Sequence, residues 1–291
     1  MKHKLLAGMA CLALALGAGA APAQAPVTAA MGTPATPWKA YVGKTLDAWM
    51  AQDPSFAIYQ GAHQFDGRLP DWSPAGLKAR ADFLRAVIAD AGKFTDLSAA
   101  DRFERDYLVQ VAKGQLFWLV DADKPHTNPG YYIENGLDPN VYVSRDYADK
   151  PTRMKAMIAF FKAVPRAATQ IRGNLKTAMP ASFIKLGTAG FAGFAEYYRG
   201  DARAAFADVK DARLQAEFKA SSEAAATAMQ GLADWLAKAT PTQDFAMGAD
   251  RFSRMLAATE AVDAPLDELE AVGRADLKRN QDLLKAACAD Y

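Results

Sequence analysis

The sequence predicts an all-α protein, an irregular array of helices with few or no strands. Apolar residues recur at steps of three and four along most of the chain, which is the spacing of one buried helix face. Several of these segments open with Ser, Thr or Asp close to Pro, a combination typical of a helix N-terminus. No run that alternates apolar and polar residues is long enough to predict a strand.

The helices are predicted in order along the chain. The first opens at Thr36-Pro37, places Trp38 and Trp49 on one apolar face, and ends or bends at Asp53-Pro54. Pro165 is expected to kink or split a later helix, because proline removes a backbone donor. The other helices are predicted to begin near Ser73, Ser98, Met154, Ala181, Asp211, Arg251 and Asp263.

Two expectations concern how side chains pack. Cys288 lies among alanines on the last helix and is expected to be a buried or partly buried thiol. On the helix that begins near Ser98, four large side chains are assigned to the inward face or its edge: Phe103, Tyr107, Val111 and Trp118.

Three glycines spaced three residues apart lie on one predicted helix, at Gly187, Gly190 and Gly193. A phosphate-binding loop would need a preceding strand and a following Lys-Ser or Lys-Thr pair, and the sequence has neither here. The spacing therefore favours glycines that let a neighbouring element pack closely.

Residues 1–23 are predicted to be a secretory signal peptide, with lysines before an apolar run and small residues before a cleavage site after Ala23. The apolar run is too short, and too rich in Ala and Gly, to favour a membrane anchor. A lipoprotein signal at Cys11 is disfavoured, because the large aliphatic residue usual three positions earlier is missing. We therefore expect a periplasmic or secreted protein.

After cleavage, residues 24–36 are expected to form a flexible leader and residues 37–291 a single helical domain. Removal of Lys2 and Lys4, with no acid lost, changes the formal net charge from +1 to about −1. Such a chain has no basic field to attract nucleic acid or an anionic membrane, so neither is predicted as a partner.

Catalytic motifs are missing from the sequence. A helical zinc hydrolase needs H-E-x-x-H, whereas the mature chain has only His63 and His126, in different loops. The Gly-x-Ser-x-Gly turn of a serine hydrolase is also missing. We therefore predict no catalytic residue, no metal ligand and no cofactor in this chain.

Residues 61–73 form a turn-rich loop that contains His63, Asp66, Arg68 and Asp71. One interpretation is a ligand contact, in which Arg68 binds a carboxylate and His63 donates or accepts a hydrogen bond. The other is a structural loop, in which the aspartates accept backbone N–H groups and Arg68 pairs with one of them. The Tyr-rich segment that follows adds Tyr131 and Tyr132, which could contact a ligand or cover the core.

Motifs spread over the mature chain resemble a bacterial family known as domain of unknown function 885. The matching segments are Gly61-x-His63-x-x-Asp66-x-Arg68-Leu69-Pro70-Asp71, Asp101-Arg102-x-Glu104-Arg105-Asp106-Tyr107-Leu108, Asn128-Pro129-x-Tyr131-Tyr132, Gly136-Leu137-Asp138-Pro139, Pro165-x-Ala167, Asn174-Leu175, Gly190-x-Ala192-x-Phe194, Phe252-x-x-Met255-Leu256 and Asp263-x-Pro265-Leu266-x-Glu268-Leu269.

The resemblance implies the N-terminal half of a longer, helical, zinc-metallopeptidase-like protein whose His-Glu metal motif lies in its C-terminal half. Zinc is thus implied for the full-length family and not for this chain. On this view the chain covers a substrate cleft and is inactive alone, and its partner is a missing C-terminal catalytic half. The alternative is a stand-alone periplasmic helical protein that binds peptides or small acidic ligands.

Overall fold

Helices account for most of residues 36–289, the part of the chain that the computed structural model describes. The predicted signal peptide 1–23 and nearly all of the predicted leader 24–36 lie outside these residues. The all-α prediction is confirmed. The helices are α1 Pro37–Gln52, α2 Pro54–Tyr59, α3 Pro74–Ala91, α4 Ala99–Leu116, α5 Lys124–Thr127, α6 Gly130–Glu134, α7 Val141–Ser144, α8 Lys150–Asn174, α9 Ala181–Arg199, α10 Asp201–Ala204, α11 Ala212–Leu236, α12 Ala249–Thr259 and α13 Leu266–Ala289.

Helices α8, α9 and α11 pack together and supply the centre of the hydrophobic core. The side chains of Phe161, Phe191 and Phe218, one from each helix, are almost completely buried. Asp149 caps α8 by accepting a hydrogen bond from the Thr152 amide at 2.8 Å. Pro165 does not split α8, contrary to one of the predicted outcomes. The buried residues on either side of Pro165 offset the lost hydrogen bond.

Two three-residue strands form a small parallel sheet. Strand β1, Ala178–Pro180, follows α8, and strand β2, Thr240–Thr242, follows α11. Ala178 pairs with Thr240, and the Thr240 amide donates to the Thr177 carbonyl at 2.8 Å. The pair joins the ends of two core helices. Strands of this length are too short to leave an alternating pattern in the sequence.

The predicted inward face of α4 is only partly confirmed: Val111 is half-buried and packs against the core, and Trp118, just beyond the helix, is half-buried. Phe103 and Tyr107 are 72% and 65% exposed, and their rings stack on each other at 6.4 Å. The buried positions are the small residues Ala112 and Gly114. A Cβ atom at Gly114 would lie 3.3 Å from the Ala258 carbonyl oxygen, so α12 crosses α4 closely at this point. Small residues therefore mark the contact with α12, while Leu108 and Val111 pack against the core.

The glycines of α9 permit close packing at two of the three positions. A Cβ atom at Gly187 would lie 2.4 Å from side-chain atoms of Leu236 and Pro129, and one at Gly190 would lie 2.4 Å from Ile133. The prediction is wrong for Gly193, where an added Cβ atom would meet nothing within 4 Å.

Helix α13 has no buried residue within its described length. Leu266 and Leu269 at its start are half-buried, and its later apolar side chains are exposed. Cys288 is also exposed, which corrects the predicted buried or partly buried thiol. The largest exposed apolar side chains of α13 are Val272, Leu277, Leu283 and Leu284. Among residues 36–289, no helix is long and apolar enough to span a membrane.

Candidate functional site

A cavity of about 670 Å³ lies where the end of α1, the loop after α2, α3, α6 and α8 come together. This volume is within the usual range for small-molecule sites. Leucines from α3 and the π-helical turn 117–121 line part of the cavity, together with Trp72 and Trp118. The cavity therefore offers an apolar wall for a ligand, beside the polar groups described next.

Charged side chains around the cavity are mostly paired. The four cations are Arg68, Arg80, Lys124 and Arg166, and the three acids are Asp53, Asp71 and Glu134. The shortest distances within the three pairs are 3.7 Å for Arg80–Asp53, 3.1 Å for Lys124–Glu134 and 3.8 Å for Arg166–Asp71. Arg68 has no ion pair within the described part of the chain, and its guanidinium carbon lies 5.4 Å from the centre of the Phe65 ring. The lining thus has an excess of one positive charge.

Arg80 is the most buried cation of the cavity. Its Nη2 donates to Gln115 Oε1 at 2.5 Å, and its guanidinium carbon lies 4.9 Å from the centre of the Trp49 ring. Burial lowers the pKa of the guanidinium, while the nearby Asp53 carboxylate raises it. Arginine nevertheless keeps its charge. Nη1 is buried and has no hydrogen-bond partner among residues 36–289.

Gln52 supplies a second unpaired polar atom at this cavity. Its Oε1 is buried and accepts no hydrogen bond from the described residues. Gln52 is the last residue of α1 and precedes Asp53, whose carboxylate faces Arg80 and also caps α2 by accepting from the Phe56 amide at 3.0 Å. Gln52 and Arg80 are thus both neighbours of Asp53, Gln52 along the chain and Arg80 through the 3.7 Å ion pair.

Tyr131 lines the cavity near the same groups. Burial raises the pKa of its hydroxyl to about 12; the Asp53 carboxylate adds to this effect and Arg80 opposes it. A tyrosine hydroxyl is already protonated at neutral pH, and the raised pKa keeps the Tyr131 hydroxyl a hydrogen-bond donor into the alkaline range.

The loop 61–73 is fixed against α8, and this contact positions Arg68. The Gly67 amide donates to the Tyr142 hydroxyl at 2.8 Å. Gly67 has a φ of +77°, and a Cβ atom there would lie 2.4 Å from Ala159 Cβ. Only glycine fits both the backbone conformation and the space. The following residue, Arg68, is then directed to the exposed rim of the cavity.

Asp71 and Trp72 join the end of the loop to α8. Asp71 accepts hydrogen bonds from the Ser73 amide at 3.0 Å and from Gln170 Nε2 at 2.8 Å. The Ser73 amide makes the largest contribution to lowering the pKa of this carboxyl. The buried Trp72 accepts from Asn174 Nδ2 at 2.7 Å through its carbonyl oxygen. Asp71 therefore accepts a backbone N–H group, as the structural interpretation of the loop expected, and it also lines the cavity.

His63 and Asp66 belong to a separate cluster. The His63 ring stacks on Tyr147 at 3.4 Å, and its Nδ1 lies 3.2 Å from Asp66 Oδ1. The Tyr147 hydroxyl donates to Asp66 Oδ2 at 2.8 Å. Burial and this carboxylate raise the pKa of Tyr147. The cluster connects the loop to the segment before α8. Asp66 accepts hydrogen bonds from side chains here, whereas the structural interpretation of the loop expected a backbone N–H donor.

Tyr132 lies in the core and not at the cavity. Its hydroxyl donates to the Pro125 carbonyl at 2.7 Å and accepts from Asn174 at 3.1 Å. Burial raises the pKa of this hydroxyl. Of the six predicted contact residues, the cavity includes three, Arg68, Asp71 and Tyr131, and leaves out His63, Asp66 and Tyr132.

Sequence reasoning missed Arg80 and Gln52. A signal for Arg80 was present, because it lies three residues after Leu77 and four before Leu84 on the apolar face of α3. An arginine on a buried helix face needs partners, and such a residue is a candidate for a site. Gln52 gives no comparable signal, since a polar residue at a helix end is ordinary.

The described residues do not fit the zinc that the family resemblance implies for full-length proteins. His63 is engaged with Asp66 and Tyr147, and His126 Nδ1 lies 2.5 Å from Asp123 Oδ1. Among residues 36–289, no group of three His, Cys, Asp or Glu side chains is arranged to hold a metal ion.

The fold is similar to that of another protein whose structure has been solved. A solved structure described as "a putative lipoprotein of unknown function" from Shewanella oneidensis superimposes with a TM-score of 0.73 at 18% sequence identity. The match covers 85% of this chain and 47% of that one, so the chain spans about half the length of that protein. No curated protein matches the sequence. The family model described as bacterial protein of unknown function (DUF885) matches residues 54–291, and the chain belongs to this family.

Proposed function

We propose that this chain is the ligand-binding portion of a longer exported protein, and that its cavity holds the acidic group of a peptide or another small acid. The observation that carries the proposal is the excess positive charge of the cavity lining, in which the exposed Arg68 has no ion pair among the described residues. Export is supported by the signal peptide predicted at 1–23 and by the likeness to a protein described as a lipoprotein.

An acidic ligand would satisfy the site chemically. A carboxylate on the ligand adds a negative charge to a lining with one positive charge in excess. A hydrogen bond between a carboxylate and a guanidinium is roughly twice as strong as one between neutral groups. Arg68, at the rim, is free of ion pairs within the described residues and can contact the same group or a second acid.

Titration calorimetry with short acidic peptides tests this proposal. Replacing Arg80 with Met removes one positive charge from the lining and should weaken binding roughly tenfold, which corresponds to about 1.4 kcal/mol. Arg213, exposed on α11 and outside the cavity, gives the matched control R213M, which should bind normally. R68A removes an exposed side chain and tests the same site without disturbing the core. Unchanged affinity in both R80M and R68A would reject the proposal.

A second candidate function is the N-terminal, cleft-covering half of a zinc-metallopeptidase-like protein, inactive by itself. It is favoured by the 47% coverage of the longer structural neighbour, together with the exposed apolar side chains of α13. On this view a C-terminal catalytic half covers α13. Mixing the chain with the C-terminal half of a longer family member should give a complex and restore peptide hydrolysis, and L277D/L284D should abolish the complex. Hydrolysis by the isolated chain, lost on chelation, would contradict this candidate.

A further inference from the structure

A second cavity, a groove of about 560 Å³, lies where the end of α9, helix α10 and the first turns of α11 meet. Its described lining includes three cations, Arg199, Arg203 and Lys219, and no Asp or Glu. The described linings of this groove and of the first cavity share no residue. The whole chain has a formal net charge of only +1, so the groove is a local concentration of positive charge.

The helices bring the three cations to this groove from neighbouring positions. Arg199 Nε donates to Glu223 Oε1 at 2.9 Å. Lys219 lies four residues before Glu223 on α11, and residues at this spacing are neighbours on one face of a helix. Arg203 follows Arg199 by four residues, across the turn from α9 into α10. Of the three cations, only Arg199 is neutralised by an ion pair.

The other two cations, Arg203 and Lys219, have no counter-ion. Among the described residues their side chains make neither an ion pair nor a hydrogen bond, although Arg203 is half-buried. Acids nearby in the sequence are engaged elsewhere: Asp208 and Glu217 each pair with a lysine of α8, at 2.7 Å and 2.5 Å. Asp201, at the start of α10, does not line the groove. A cleft lined by charges of one sign raises the local concentration of ligands of the opposite sign.

Gln215 holds the two walls of the groove together. Its Nε2 donates to the Phe206 carbonyl at 2.7 Å and to the Val209 carbonyl at 3.0 Å, which fixes the turn after α10 against α11. The rings of Phe206 and Phe218 meet edge to face at 5.5 Å in the core. The rest of the described lining is small and exposed, and consists of Ala204, Ala207 and Ala216. The groove is therefore already formed in the folded chain.

We infer that this groove binds a phosphate monoester group, a ligand different from the acid proposed for the first cavity. With Arg199 neutralised by Glu223, Arg203 and Lys219 leave an excess of two positive charges. A phosphate monoester carries about −1.5 to −2 charges at neutral pH, which matches this excess better than the single charge of a carboxylate. A guanidinium binds phosphate oxygens through two parallel hydrogen bonds, and a lysine adds a point charge. The exposed alanines leave room for the ester substituent.

Calorimetry with two esters tests the charge match. Phenyl phosphate carries two negative charges at about pH 7.5, above its second pKa near 6, and methyl phenyl phosphate carries one. At low salt the purified chain should bind phenyl phosphate roughly tenfold more tightly than methyl phenyl phosphate. This comparison needs no variant. Equal affinities for the two esters would overturn the inference.

The variant R203A/K219A locates the binding site. It should bind phenyl phosphate at least roughly tenfold more weakly than the wild-type chain. It should also keep the wild-type melting temperature, since neither side chain has a partner in the described chain. The control R213A/K238A removes the same two charges at exposed positions outside the groove and should bind normally. Unchanged binding by R203A/K219A would overturn the inference, as would a loss of phenyl phosphate binding in R68A, which would place the anion in the first cavity.

The two binding proposals fail separately. R203A/K219A should still bind acidic peptides, because neither residue lines the first cavity. The source of the phosphate group is identified by sedimentation with phosphatidylcholine vesicles that contain phosphatidic acid. Cosedimentation that R203A/K219A abolishes would assign the group to a lipid head group. Binding of phenyl phosphate without cosedimentation would assign it to a soluble ligand.

Discussion

Replacing Gly67 with alanine should destabilise the fold by about 2–5 kcal/mol. A non-glycine residue at positive φ costs roughly 1–2 kcal/mol, and the φ of Gly67 is +77°. The new Cβ atom would lie 2.4 Å from Ala159 Cβ and 3.1 Å from the Ala156 carbonyl oxygen. Forcing a methyl group into such a contact costs a further 1–3 kcal/mol or so. The two contributions act together because the loop is fixed against the rigid helix α8.

Urea unfolding followed by circular dichroism measures this loss, with G231A as the control. Gly231 lies on an exposed part of α11, where a Cβ atom would meet nothing within 4 Å. Alanine there should stabilise the protein by about 0.5–1 kcal/mol, because it is the better helix former. The two substitutions add the same atom and should change the stability in opposite directions.

A loss of less than about 1 kcal/mol in G67A would refute this reasoning. It would mean that the loop 61–73 moves away from α8 at little cost, and that the position of Arg68 at the cavity is not fixed by this contact. Acid binding by G67A gives a second readout, since a displaced loop should weaken it even where the chain stays folded.

The remaining predictions concern buried hydroxyls and titrating groups. Y142F should lose about 1–3 kcal/mol of unfolding free energy, because the Gly67 amide would lose its acceptor; a loss under 0.5 kcal/mol by urea unfolding would contradict this. The pKa of Asp71 is lowered on folding, so its stabilising effect is present above the unfolded value near 4 and is lost as pH falls through the folded value. D71N should therefore show a shallower fall of Tm below about pH 4, and parallel curves would count against it. The pKa of Tyr131 is raised to about 12, so its contribution is lost as pH rises from about 10 to 12; Y131F should lose less stability in urea unfolding over that range, and equal losses would exclude this role.

The helical architecture could be predicted because it depends on local signals. Apolar spacing and capping residues located most helices, and Ser98 caps α4 by accepting from the Asp101 amide at 3.1 Å. The inward face of α4 could be predicted only in part from hydrophobicity. Val111 packs against the core, whereas Phe103 and Tyr107 remain exposed and the contact with α12 uses Gly114. Which face is buried depends on what lies opposite, and periodicity carries no such information.

The candidate site could be predicted only in part for a similar reason. The loop 61–73 was identified by its composition, and it supplies Arg68 and Asp71 to the cavity. His63 has the same composition signal and lies in a different cluster, because its neighbour Tyr147 comes from a distant segment. The buried Nη1 of Arg80 has no hydrogen-bond partner in the described chain, and a missing hydrogen bond can be recognised only in three dimensions.

Helix α13 should behave as an independent unit of unfolding. Its described residues include ion pairs within the helix, such as Arg274–Glu270 at 2.6 Å and Lys278–Asp282 at 2.8 Å, each worth only a few tenths of a kcal/mol. Most of the stability of a helix in a protein comes from tertiary packing, and α13 has no buried residue to supply it. Its amides should therefore exchange with solvent far faster than those of α8, and a protease should cut there first. A partner that covered the leucines of α13 would slow both hydrogen exchange and proteolysis, because the helix would then unfold only after the partner had dissociated.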